Sequence, residues 1–374
     1  MTKKKRILMC YHSAQFGGIE KQILDLIKNL SKDFDFIIAC PDGPLVEQYI
    51  GAGAVKHINL KPSWELDLFY IIKLSNLCRK ENIDIIHSHE LLTGCLATTA
   101  GFFAGVKKRI YHVHTTFFEW KHTGIKKYLS IIPNFIANFI VGNFFATDVL
   151  ALTNVLKEIR INKEKINKEK ITIIPNGIEL EKLHYKKEYA DEIRDRYLIP
   201  EYNVLIGYIS RFTEEKGHEI LIRAFEKLNN NTSKYMLILA GGGRLLDHCK
   251  NLVKDLKIED KVIFTEHFDE SDKVKILSAI DVCVIPTLAE GFGIALIEAM
   301  ANRRPIWASN IPVIKEVAAD SIKYFKSDNI DDLIEKLVRI GEEDLSILGD
   351  KAFEQAQNYS MEKFAEAYRN LYLK

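Results

Sequence analysis

The chain has no closely spaced cysteine pairs, although it has six cysteines: Cys10, Cys40, Cys78, Cys95, Cys249 and Cys283. A disulfide framework is therefore excluded, and thiols set in apolar strand-like runs behave as small hydrophobes, which fits a reducing, cytoplasmic setting. Long hydrophobic runs are missing too. After Lys3, Lys4, Lys5 and Arg6 the apolar stretch reaches only from Ile7 to Cys10, too short for a signal-peptide core, and nowhere is there a run fit to span a bilayer. Net charge is almost absent at +1, but its distribution is uneven. Residues 1–175 carry 24 Lys and Arg against 16 Asp and Glu, whereas residues 176–374 carry 28 against 35. The basic charges are scattered and sit in no nucleic-acid motif, so no nucleic-acid partner is expected. An anionic membrane surface or an anionic acceptor suits the basic half better.

With 374 residues, 47% hydrophobic and 28% charged, the chain is globular and long for one core, so two domains are expected. Short apolar runs alternate with helical patterns at Arg6–Tyr11, Phe34–Cys40, Ile83–His87, Arg109–Val113, Asp148–Leu152 and Ile171–Pro175, then at Val204–Ser210, Met236–Ala240, Val262–Thr265 and Asp281–Ile285. Such alternation argues for parallel sheets covered by helices on both faces, with ligands at the carboxyl ends of the strands.

The most informative stretch is Glu290-Gly291-Phe292-Gly293-Ile294-Ala295-Leu296-Ile297-Glu298-Ala299-Met300-Ala301. It reads as a loop opening into a helix whose first N–H groups are unpaired and carry partial positive charge, a seat for phosphate. Two carboxylates beside an anion site suit a nucleotide sugar, its phosphates on the N–H groups and its hydroxyls on the carboxylates.

Two glutamates separated by seven residues, within Glu-Gly-Phe-Gly…Glu-Ala-Met-Ala, resemble the signature of glycosyltransferase family 4. The resemblance implies an α/β GT-B fold: two Rossmann-like, doubly wound domains facing across a cleft. On it, residues 1–177 form an acceptor-binding domain and residues 178–355 a nucleotide-sugar-binding domain, joined by a hinge at Ile173-Ile174-Pro175-Asn176-Gly177. Residues 356–374 form a helix crossing back to the first domain. The implied activity is retaining transfer of a hexosyl or N-acetylhexosaminyl group from a nucleotide diphosphate sugar, UDP-linked, to a glycan or lipid-linked acceptor of cell-surface polysaccharide or glycolipid synthesis. Neither cofactor nor metal is implied.

Carried over position by position, Gly17 and Gly18 resemble the family's glycine pair after the first strand. His114 stands where the family has a histidine contacting the donor sugar, Arg211 and Lys216 where it grips the diphosphate, and Gly241 and Gly242 in its glycine-rich turn. Gly291, Phe292 and Gly293 bring backbone to the donor, Glu290 accepts hydroxyls of the sugar, and Glu298 accepts those of the ribose. Departures occur at Glu266, Arg303 and Ile311-Pro312-Val313, where glycines are usual.

Three features stay outside this assignment. The pairs His87/His89 and His112/His114 hint at zinc, yet no Cys or carboxylate stands at metal-ligand spacing, and no metal is expected. From Phe117 through Trp120, Lys121, Lys126, Lys127 and Tyr128 to Phe135, Phe139 and Phe145 the chain is aromatic and basic. Helices packed on the first sheet and a membrane-facing surface both fit it. The tandem repeat Ile161–Lys165 and Ile166–Lys170 reads as a solvated extension without chemistry. Two rival functions remain: a sugar-nucleotide epimerase of similar outline, and a non-catalytic glycan-binding partner subunit.

Overall fold

A computed structural model of the chain describes residues 3–15, 17–64, 67–115, 125–229, 234–266 and 268–374, with only the backbone of 125–130 and 270. Two compact units result: Met1–Gly177 together with Glu362–Lys374, and Ile178–Met361.

In the first unit seven strands, β1 (Lys5–Cys10), β2 (Phe34–Cys40), β3 (Lys56–Asn59), β4 (Ile85–His89), β5 (Lys108–His112), β6 (Asp148–Ala151) and β7 (Ile171–Ile173), form one parallel sheet. Their order is β3-β2-β1-β4-β5-β6-β7. Central strands read as unbroken apolar runs because both faces are covered. On one face Leu8, Cys10, Ile37, Ala39 and Ile86 pack against Tyr70, Leu74 and Cys78 of the helix Leu68–Lys80 and Leu96, Ala97 and Ala100 of the helix Leu92–Ala104. On the other face lies the helix Met361–Leu373. Its Tyr372 is fully buried, edge-on to Phe34 at 5.4 Å and to Phe36 at 6.4 Å. The edge strand β3, with only Ile58 apolar, carries no strand signal in the sequence.

The second unit holds β8 (Val204–Ile209), β9 (Tyr235–Ala240), β10 (Val262–Glu266), β11 (Val282–Ile285), β12 (Ile306–Ser309) and β13 (Lys323–Phe325), again all parallel, in the order β10-β9-β8-β11-β12-β13. That is the Rossmann order, and it reverses between β8 and β11. Both units are therefore doubly wound, Rossmann-like folds. The sequence pattern did not reveal β12 and β13, which are only 4 and 3 residues long, although Trp307 of β12 is among the largest fully buried side chains.

The tandem repeat corrects one expectation. Glu164 is fully buried and Ile166 nearly so, because Glu164 closes an ion pair with buried Arg160 at 2.7 Å and accepts Asn138 Nδ2 at 3.0 Å. Only part of the repeat is solvated. Of the aromatic and basic segment, residues 116–124 lie outside the described residues, as do the side chains of Lys126, Lys127 and Tyr128; the helix Ile125–Ile140 follows, then a π-helical turn Val141–Phe145.

Because Tyr372 fills the space beneath Phe34, Phe36 and His87, Tyr372→Ala is expected to lower stability by about 3–5 kcal/mol. Urea unfolding of the variant beside the wild type measures it. A loss under 1 kcal/mol would show that this helix is not part of the first unit's core.

Candidate functional site

The reversal between β8 and β11 opens a crevice at the carboxyl ends of those strands, and the loops leaving them are locked together. Glu215 offers its carbonyl to the Thr287 hydroxyl at 2.9 Å and to the Leu288 N–H at 2.7 Å. Gly217 takes φ +67°, and any side chain there would overlap the carbonyl of Pro286. Lys216 is held between these contacts, its Nζ donating to Glu290 Oε1 at 2.6 Å. The Thr287 hydroxyl reaches the same oxygen at 3.2 Å. Two residues distant in sequence that were assigned to diphosphate and sugar thus meet as a half-buried ion pair.

Arg211 leaves the same loop exposed, in no ion pair among the described residues. Its position is fixed from behind by the glycine turn after β9. Gly241, at φ +135°, lies so close to the carbonyl of Ser210 that no side chain fits, and Phe212 donates its N–H to the carbonyl of Gly242 at 2.9 Å. Gly241 and Gly242 therefore shape the Arg211 loop. After β11, Gly293 caps the helix Ile294–Ala301 at φ +93°, whereas Gly291 stays outside the left-handed region. Phe292 turns inward, edge-on to Tyr359 at 5.4 Å, so its ring belongs to the core. Glu298 is buried with Lys273, which donates to its Oε1 at 2.9 Å. Lys273, on the helix Glu270–Ala279, is a charged neighbour that no sequence spacing announced.

Gly17, Gly18 and His114 belong to the first unit. Gly17 caps the helix Gly18–Leu30 in extended backbone and Gly18 opens it, and neither takes the left-handed region. His114 follows β5, and its Nε2 meets His89 Nδ1 at 3.0 Å. Burial, then the nearby Arg160 guanidinium, pushes His114 down to about 3, so the ring is neutral at pH 7. Arg160 also donates to the carbonyl of Val113, tying the His114 loop to the buried Arg160–Glu164 pair.

Comparison with known proteins places this geometry. A family model described as "Glycosyltransferase Family 4" matches residues 16–182, and one described as "Glycosyl transferases group 1" matches residues 190–360. The chain belongs to glycosyltransferase family 4. An Escherichia coli UDP-Gal:alpha-D-GlcNAc-diphosphoundecaprenol alpha-1,3-galactosyltransferase is 26% identical, over 96% of this chain and 94% of that protein. The Staphylococcus aureus capsular polysaccharide glycosyltransferase CapM is 29% identical, over 75% and 73%. Among solved structures, Anabaena HepE in complex with UDP and glucose superposes with TM-score 0.83 at 18% identity, covering 99% of each chain. The fold of this family 4 glycosyltransferase is accordingly GT-B.

Two of its departures from the family pattern leave a backbone trace. Glu266 stands at φ +51° and Arg303 at φ +55°, so each holds the left-handed conformation that glycine adopts freely. Glu266 ends β10 at a register shift and pairs with Lys250; Arg303 pairs with Asp350 and lies over the Phe353 ring at 4.0 Å.

His218, behind Lys216, is buried with its ring stacked on Phe212 at 4.0 Å and its Nε2 3.1 Å from Ser210 Oγ. Burial, then the Lys216 charge, lowers it to about 3. Between pH 6.5 and about 3 the unfolded chain takes up a proton that the folded chain refuses, so this contribution is whole above pH 6.5 and is lost as pH falls. At pH 5 the loss is expected to be up to about 2 kcal/mol. Denaturant titrations at pH 7 and 5 should show a smaller difference for His218→Gln than for wild type. Equal differences would mean that His218 does not resist protonation.

Proposed function

We propose that the crevice between β8 and β11 binds a UDP-linked hexose or N-acetylhexosamine, and that the enzyme transfers the sugar with retention to a glycan or lipid-linked acceptor of surface polysaccharide or glycolipid synthesis. The observation that carries this reading is the Lys216–Glu290 pair at 2.6 Å with exposed Arg211 on the same loop. The two cations suit a diphosphate, and Glu290 beside them can accept sugar hydroxyls. Glu298, steadied by Lys273, can accept the ribose hydroxyls. UDP is favoured because the E. coli relative is named for a UDP-galactose donor and HepE is solved with UDP.

In this reading the sugar–phosphate bond breaks with its electron pair going to the diphosphate, and the acceptor hydroxyl attacks the same face, its proton passing to an oxygen of the departing phosphate. Negative charge grows on the leaving phosphate as the bond lengthens. Arg211, Lys216 and the helix N-terminus at Gly293 stabilise that charge, and because they are already in place they need no reorganisation. Lys216 shares itself between Glu290 and the phosphate, so donor binding couples the sugar-holding carboxylate to the leaving group. His114, neutral and tied to His89, is assigned to the donor sugar as a hydrogen-bonding group rather than a charge.

Arg211→Ala and Lys216→Ala are each expected to cost about 3–4 kcal/mol of transition-state stabilisation, two to three decades of turnover, with an unchanged circular dichroism spectrum. Transfer assays with radiolabelled UDP-sugars read this directly. Turnover within a few-fold of wild type for both variants would remove the diphosphate assignment.

A peripheral site of action on the cytoplasmic face of a membrane is part of the same reading. No helix among the described residues is long and apolar enough to cross a membrane. Support for docking comes from the basic balance of residues 1–175 and from a stripe of exposed apolar side chains, Ile132, Ile136, Ile140 and Phe144, with Phe103 also exposed. The Streptococcus pneumoniae relative, named alpha-monoglucosyldiacylglycerol synthase, is 25% identical over 80% of this chain. Each cation near an anionic surface adds about 1 kcal/mol and fades beyond a Debye length of ~8 Å at physiological salt. The protein should pellet with anionic vesicles at low salt, release as salt rises, and pellet less when Lys121, Lys126 and Lys127 are changed to Glu. Equal recovery from anionic and neutral vesicles would point to a soluble acceptor.

A further inference from the structure

Four histidines, His87, His89, His112 and His114, crowd the centre of the first sheet, and the proposed transfer reaction draws on His114 alone. His87 and His89 are two residues apart on β4, and His89 pairs in register with His112 of β5, so the three rings share one face of the sheet. None of the three is exposed to solvent. Each has one ring nitrogen engaged. His87 Nδ1 lies 2.8 Å from the Tyr372 hydroxyl, His89 Nδ1 lies 3.0 Å from His114 Nε2, and His112 Nδ1 lies 3.5 Å from the Tyr368 hydroxyl.

The other nitrogen, Nε2, has no partner in any of the three. A buried polar atom without a partner is rare in a folded chain, and three side by side call for a common cause. One nitrogen from each ring comes within 4.8 Å of those of the other two. We propose that His87, His89 and His112 bind a late first-row transition-metal cation, zinc being the reference ion, through their Nε2 atoms.

Imidazole nitrogen is a preferred ligand of zinc, copper and nickel, and three neutral imidazoles leave a fourth position for water or hydroxide. The contacts at Nδ1 are those a metal-binding histidine needs. When Nδ1 carries the proton and donates it outward, to Tyr372, His114 or Tyr368, the Nε2 lone pair is free for the metal and the ring is held in orientation. Zinc–nitrogen bonds of about 2.0–2.1 Å place the ligand nitrogens of one ion within roughly 4 Å of each other, a spacing that lies inside the 4.8 Å span of these three. Complete burial means that the ion enters as the sheet and the helix Met361–Leu373 close, which couples its binding to folding. His114 then accepts from His89 at Nε2 and must hold its own proton on Nδ1, so the metal also fixes the tautomer of that ring.

The test uses the full chain, refolded from denaturant after chelation, with and without one equivalent of zinc. One equivalent is expected to remain through gel filtration, to raise the unfolding midpoint, and to give an X-ray absorption spectrum with three imidazole ligands. His87→Gln and His112→Gln should each lose the retained zinc, and His248→Gln, at an exposed histidine, should keep it. Uptake well below one equivalent by the wild type overturns the proposal, as does retention unchanged in both variants. If the variants fail to fold, the wild-type spectrum decides: fewer than three imidazoles per zinc overturns it. Replacement of zinc by cobalt gives an independent reading, since an N-ligated site of low coordination absorbs strongly in the visible and hexa-aqua cobalt does not.

Discussion

The second unit depends on how closely two backbones approach at its switch point. Gly217 leaves no room for a side chain beneath the Pro286 carbonyl, and Glu215 binds Thr287 and Leu288 from the same loop. Any widening of this junction would separate the loop carrying Arg211 and Lys216 from the loop carrying Glu290. The glycine turn at Gly241 repeats the constraint one strand away, against Ser210. Charge is thus positioned by main-chain contact, and the flexible lysine only completes a geometry that the backbone has set.

Much of this was legible in the sequence for a simple reason. Strands buried on both faces show as apolar runs, and a loop opening into a helix just after such a run marks an anion seat, so Glu290 and Glu298 stood out beside it, whereas Arg211 and Lys216 were named through the family resemblance. What escaped was either short, at an edge, or made by pairing across the fold. β3 and β13 border their sheets and carry few apolar residues; β12 is buried but only 4 residues long. Lys273 meets Glu298 from another helix, and Arg160 reaches Glu164 across the end of its own helix, within a repeat whose charge suggested solvent. The histidine row needed strand register, since His89 and His112 are neighbours only because β4 and β5 pair as they do.

Glu266 and Arg303 show that a motif position can keep its backbone after losing its residue. A non-glycine residue held in the left-handed region costs roughly 1 kcal/mol, and each side chain offsets part of that cost with a charged partner, Lys250 or Asp350. Arg303 also stacks over Phe353, and its carbonyl lies against Gly349, where no side chain fits. The helix Leu345–Ala356 is thereby brought against the end of the signature helix, so the substitution has been built into the packing.

The helix Met361–Leu373 has a consequence for the order in which the chain is made. The part of the first unit that precedes Ile178 leaves the ribosome with Phe34, Phe36 and His87 still uncovered, because Tyr368 and Tyr372 are encoded after the whole second unit. At about 5–20 residues per second, the intervening unit takes roughly ten to forty seconds to synthesise. During that interval an aromatic sheet face is open to water, chaperones and other nascent chains. Translation speed through residues 178–361 therefore sets how long the first unit must survive half-finished.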